Sequence, residues 1–188
     1  QDIYSAAMSW HEGNTNAIDE LYLDVFQEND CSYLTETVHR WFRSKNPKYF
    51  TPWTIHINAA LEAHRKGNYV LTIPTLLLVA EGIAGEFCTQ NQISLTYKEN
   101  NRGNVKISKA LQHQQSTKGT MLFSELDLME VFLNSQMFEH TSNVDITQNI
   151  LNRHAVLHGK KPDYHTVENS LKAFMILDFL SLLDECYE

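Results

Sequence analysis

Apolar residues recur at helical spacing along most of the chain. Between Asn16 and Asn29, the residues Ile18, Leu21, Tyr22, Val25 and Phe26 fall on one face, which predicts an amphipathic helix. A second helix is expected from Ser32 to Ser44. Thr51-Pro52 reads as an N-cap followed by proline at the first helical position. Behind it, Trp53, Ile57, Ala60, Leu61 and His64 line a helix that Gly67 stops. Tyr69 to Cys88 is apolar nearly all round and predicts a central buried helix, bent or restarted at Pro74. The pattern then weakens from Gln90 to Gly119, a surface excursion with a short strand at Ile93–Tyr97 and a helix from Val105 to Gln114. Leu122, Leu126, Met129 and Leu133 restore the helical period within Thr120–Phe138. Two more helices close the chain, one from Asp145 to Leu157 ahead of Gly159, the other from Thr166 through Leu171, Phe174, Leu177 and Phe179 towards Leu183. These elements predict an all-α, up-and-down helical bundle with one long connection.

Composition agrees with that outline. Seven Gly and four Pro in 188 residues leave few places to stop a helix, which disfavours a sandwich of short strands. No repeat, low-complexity tract or Pro/Gly/Ser-rich linker divides the chain, so residues 1–188 are expected to form one domain. The first residue is Gln1, consistent with a trimmed chain or a piece of a longer protein. The longest apolar run, Ile73 to Ala80, contains Pro74 and is too short to span a bilayer, and no secretory signal opens the chain. Cys31, Cys88 and Cys186 are scattered and odd in number, the pattern of a reducing cytosol, so a cytoplasmic, membrane-free location is expected.

Charge narrows the chemistry. A formal net charge of -8 repels polyanions at long range and argues against a non-specific nucleic-acid coat protein. Positive charge is nevertheless concentrated in Asn152-Arg153-His154-Ala155-Val156-Leu157-His158-Gly159-Lys160-Lys161. An arginine offers a planar fork that matches two phosphate oxygens and stays charged. A histidine can take a proton from a ribose hydroxyl and return one to a leaving oxygen. Those two parts suffice for RNA cleavage by internal 2'-hydroxyl attack, where the substrate carries its own nucleophile and no cofactor is required.

Helical geometry limits how the pair can act, because residues five apart point about 140° apart around an ideal helix. Either His158 sits at a frayed C-terminal end beside Gly159, or a second copy of the chain completes the site across a twofold axis. Both can hold.

The segment resembles the signature of the HEPN superfamily, an Arg followed by four to six residues, the first of them polar, and then a His. Here His154 is the polar residue and the spacer has the minimum length. The likeness continues through Asp163-Tyr164, Asn169-Ser170-Leu171-Lys172 and Leu177-Asp178-Phe179-Leu180. A second block covers His56 to Ile83, with Ala63-His64, Tyr69, Ile73-Pro74 and Glu81-Gly82-Ile83. Together the blocks span roughly a third of the chain, and the extended context is more specific than Arg-x4-His alone. The resemblance implies an all-helical HEPN-type bundle, here with additional N-terminal helices, that dimerises through its motif helices. It also implies metal-independent endoribonuclease activity leaving a cyclic phosphate. Such domains commonly serve as toxins or anti-phage defence effectors, partnered by an antitoxin or regulatory protein. Carried over, Arg153 holds the scissile phosphate, His158 is the acid/base and His154 tunes it. Asn152, Lys160, Lys161 and Glu81 are candidate binding residues. Some superfamily members lack nuclease activity, so a non-catalytic module binding nucleotide, RNA or a protein is the alternative.

Plainer readings compete at each position. Arg153 and His158 also suit a basic helix terminus favoured by the macrodipole. His154 and His158 have the spacing of metal ligands on one face, yet the intervening Ala-Val-Leu lacks a metalloprotease glutamate. Glu81, on a near-continuous apolar helix, needs a partner. It either orients Arg153 or a histidine, or belongs to a structural ion pair. His64 reads as a core histidine bonded to a backbone carbonyl, and Trp10, Trp41 and Trp53 as core or interface residues.

Overall fold

Asn and Asp tolerate left-handed backbone better than other non-glycine residues, and the first helix breaks where they adjoin. In the computed structural model the described residues are 17–43, 48–90, 141–142, 145 and 150–185. Helix α1, Ala17–Trp41, is two helical pieces across an interruption at Glu28, Asn29, Asp30 and Cys31. The last three have φ of 49°, 56° and 59°. The predicted division into two helices is therefore present, although the second ends at Trp41 and not Ser44. Of the predicted apolar face, Leu21 is buried and Phe26 partly buried, whereas Val25 is exposed.

A single 3-10 turn, Thr51–Trp53, leads into α2, Thr54–Arg65, with Pro52 where its missing N–H costs nothing. Phe50 rather than Thr51 occupies the cap position, a one-residue shift of the expected boundary. Gly67 ends α2 as expected. At φ 70° it gives its N–H to the His64 carbonyl (2.8 Å), and Asn68 N–H bonds Ala63 O (2.8 Å). These are the paired bonds of a Schellman cap, which a β-carbon would strain.

Helix α3, Tyr69–Gln90, runs without a break through Pro74. Proline has no N–H for the carbonyl four residues back, here that of Val70. The Tyr164 hydroxyl donates to that oxygen instead, at 3.1 Å. The helix is not buried all round, because Val70, Leu71 and Leu78 face outward. Ile73, Leu76, Leu77, Val79, Ala80, Ile83, Ala84, Phe87 and Cys88 form the centre of the core. By length and composition α3 meets the requirement for a membrane span. It packs here against α2, the short helix α4 (Arg153–Leu157) and the last helix α5 (Val167–Glu185).

Thr166 caps α5, accepting the Asn169 N–H on its hydroxyl at 3.2 Å. Leu171, Phe174, Leu177 and Leu180 are buried against α3 and α1, each contributing about 1.5–3 kcal/mol. Phe179 is only partly buried. Asp178 accepts from Trp41 Nε1 (2.8 Å) and Arg40 Nη2 (3.0 Å), fixing the end of α1 on α5. Trp41 is thus a core residue, as expected. The fold is all-α, with no strand among the described residues. The expected strand at 93–97, the helices at 105–114 and 120–138, and Trp10 and Cys186 lie outside them.

Candidate functional site

Asn152 starts the site. In extended backbone, it accepts the Ala155 N–H on Oδ1 at 2.8 Å and caps α4. The helix begins at Arg153, since Asp145, Ile150, Leu151 and Asn152 are non-helical. The expected helix from Asp145 to Leu157 is therefore not continuous: residues 150–152 are non-helical, Leu151 is buried in the core, and residues 146–149 lie outside the described ones. Asn152 is itself 1% exposed. That burial and its capping bond give this candidate binding residue a local structural task.

Five residues make α4, and they divide by face. Ala155 and Val156 are buried, which leaves Arg153, His154 and the following His158 to the polar side. Gly159, at φ 68°, closes the helix. Its N–H bonds Val156 O (3.1 Å) and that of Lys160 bonds Ala155 O (2.8 Å). His158 is the C-cap and exposed. Of the two arrangements that could bring His158 towards Arg153, its placement at the helix end is the one present within a single chain.

Glu81 of α3 receives Arg153. The guanidinium donates from Nε to Oε2 (3.0 Å) and from Nη2 to Oε1 (2.5 Å). The Arg153 side chain is 15% exposed and that of Glu81 44%. This contact uses the side edge of the guanidinium. The Nη1/Nη2 edge keeps N–H groups for an oxyanion. Beside Glu81, Gly82 lies under Trp53: a β-carbon there would meet Trp53 Cε2 and Cη2 at 2.9 Å and come closer still to Cζ2. Trp53 is thus a packing residue on α3.

His154 and His158 come together, ring centroids 4.3 Å apart and planes tilted by 42°. Thr141 Oγ1 lies 3.4 Å from His154 Nδ1 and accepts Lys160 Nζ at 2.6 Å. Among the described residues no hydrogen bond or ring contact joins Arg153 to His158. Of the two candidate lysines, Lys160 is exposed and Lys161 is 7% exposed. Thr141 was not legible as part of the site, because a threonine beyond a helix carries no periodic signal. No group of three His, Cys, Asp or Glu among the described residues could hold a metal ion.

His64 lies apart from this cluster. It is 3% exposed, and its Nδ1 meets Ser170 Oγ at 2.7 Å, a hydroxyl partner where a backbone carbonyl was expected. Phe174 and Tyr69 flank its ring. Burial disfavours the imidazolium and lowers its pKa to about 4.

The chain matches no family model, no curated protein and no solved structure.

Proposed function

We propose that the protein is a metal-independent endoribonuclease of the HEPN type, cutting RNA by attack of the ribose 2'-hydroxyl on the adjacent phosphate. The observation that carries the reading is the composition of one polar face. A pre-oriented guanidinium, an exposed histidine in tilted contact with a second, and a lysine stand on α4 and its cap, in a chain of net charge -8. In this scheme His158 accepts the 2'-hydroxyl proton as that oxygen bonds phosphorus and returns it to the 5'-oxygen as the P–O5' bond breaks, giving a 2',3'-cyclic phosphate and a free 5'-hydroxyl. Arg153 stabilises the charge on the non-bridging oxygens through its Nη1/Nη2 edge. His154 positions His158, and Lys160 meets the neighbouring backbone. A cytoplasmic toxin or anti-phage effector, acting as a homodimer under an antitoxin or regulatory partner, is the setting that this reading carries with it.

The Glu81 pair favours a second reading. A carboxylate on Arg153 neutralises the charge that should hold phosphate, as expected of a HEPN-like module that binds a nucleotide, RNA or protein without cutting. The test is incubation of EDTA-treated protein with total RNA beside His158→Ala. Cleavage by the parent alone, with cyclic-phosphate ends, supports the nuclease. Intact RNA with both supports the binding module, and cleavage by both removes His158 from the acid/base role.

A further inference from the structure

One hydroxyl joins two side chains of the polar face, and the directions of its bonds follow from elementary donor chemistry. Gly159 turns the chain so that the Lys160 N–H meets the Ala155 carbonyl at 2.8 Å, which holds the lysine against the last turn of α4. Its ammonium reaches Thr141 Oγ1 at 2.6 Å, and the same oxygen lies 3.4 Å from His154 Nδ1. Thr141 stands 13 residues before His154 and 19 before Lys160, so the tertiary fold and not helical period brings the three together. An ammonium can only donate, so it occupies a lone pair of the threonine oxygen and leaves the single O–H to be given elsewhere. His154 Nδ1 is an acceptor within its reach. A neutral ring that accepts on Nδ1 carries its proton on Nε2. The opposite tautomer would aim a second donor at an oxygen that already receives a charged one, and the O–H would lose this acceptor. The ammonium also polarises the hydroxyl and strengthens its bond to the ring. Other contacts hold His154 as well; what Thr141 adds is the choice of nitrogen. Beyond His154 lies His158, its ring centroid 4.3 Å away.

We propose that Thr141 is a positioning residue: its hydroxyl accepts from Lys160 and donates to His154 Nδ1, fixing the Nε2–H tautomer of His154 and the ring plane against which His158 is packed. Through that one group the lysine and the exposed histidine are set relative to each other. The catalytic consequence rests on the ribonuclease reading, whereas the tautomer does not.

Long-range proton–nitrogen correlation NMR of the imidazoles tests the assignment on the isotope-labelled chain, at a pH of about 8, above the ordinary histidine pKa of about 6.5. The variants are Thr141→Val, which keeps the shape without the hydroxyl, and Thr141→Ser, which keeps the hydroxyl. Each is first checked for a parent-like melting curve, and His154→Gln assigns the resonances. In the parent and in Thr141→Ser, His154 Nδ1 should resonate as an unprotonated, hydrogen-bonded acceptor. In Thr141→Val it should move to the position of an unbonded nitrogen or take up the proton. RNA cleavage should fall about tenfold in kcat in Thr141→Val, as small losses of orientation do, and recover in Thr141→Ser. An Nδ1–H tautomer or an imidazolium at His154 in the parent would overturn the assignment, as would an Nδ1 resonance unmoved in Thr141→Val. Parent-like cleavage by Thr141→Val with the Nδ1 resonance displaced would overturn the catalytic consequence. A parent that never cuts RNA, with Nδ1 responding as expected, would support the positioning contact and count against the nuclease alone.

Discussion

At the scale of single residues, the decisive contact is a carboxylate on an arginine. Glu81 presents the Arg153 guanidinium in one orientation, and the amide of Glu81→Gln can accept only one of the two bonds now made. If the pair positions Arg153 for phosphate, cleavage should fall about tenfold, as small losses of orientation do. Stability should fall by only about 1 kcal/mol, because Glu81 is half exposed and solvent screens the pair. Faster cleavage by Glu81→Gln would identify the carboxylate as a restraint instead. His64 gives a second residue-scale expectation. Its folded-state pKa of about 4 lies below the value near 6.5 of the unfolded chain, so between those pH values the unfolded state binds more protons. Stability should therefore rise with pH from about 4 to about 6.5 and level off above, by up to about 3 kcal/mol. Denaturant melts of the parent and His64→Leu across that range would show the slope reduced in the variant. An equal slope would assign the acid sensitivity elsewhere. The need of Glu81 for a partner was legible in its apolar surroundings. Arg153 stood among its candidate partners, but the choice between it and a histidine was not legible, since 72 residues separate the pair and no local pattern spans that gap.

At the scale of elements, helices and their stops were legible wherever backbone chemistry decides them. Gly67 and Gly159 end helices by adopting positive φ, and Asn29 and Asp30 mark the break in α1. Boundaries moved where tertiary packing overrides period, as at α4, whose upstream Leu151 is buried without being helical. Pro74 shows how one element can lean on another. Helix α3 continues past it, with the Val70 carbonyl served by Tyr164 from the segment between α4 and α5. Tyr164→Phe should then cost about 0.5–1.5 kcal/mol. In a Pro74→Ala background the helix regains its own N–H for Val70, and the same substitution should be nearly silent. A double-mutant cycle by denaturant unfolding reads this coupling, and additive effects would mean that the hydroxyl contributes nothing at Val70.

At the scale of the whole molecule, an all-α fold follows from period and from scarce Gly and Pro, and these are properties that a sequence displays directly. Which helices touch is settled by side-chain pairs far apart in the chain, such as Asp178 with Trp41, and these had no signature to read. The left-handed stretch in α1 carries a consequence for how the molecule opens. It separates Ala17–Gln27 from the part that buries Leu34, Thr37, Val38 and Trp41 and is held to α5 by Asp178. No helical hydrogen-bond ladder can pass cooperativity across residues with φ near 50–60°. The first eleven residues of α1 should therefore behave as a separate unfolding unit. In native-state hydrogen exchange their amides should lose protection at lower denaturant than those of 32–41, while α3 holds its protection to the global transition. A single exchange profile along the whole of α1 would mean that the break transmits what its backbone geometry says it cannot.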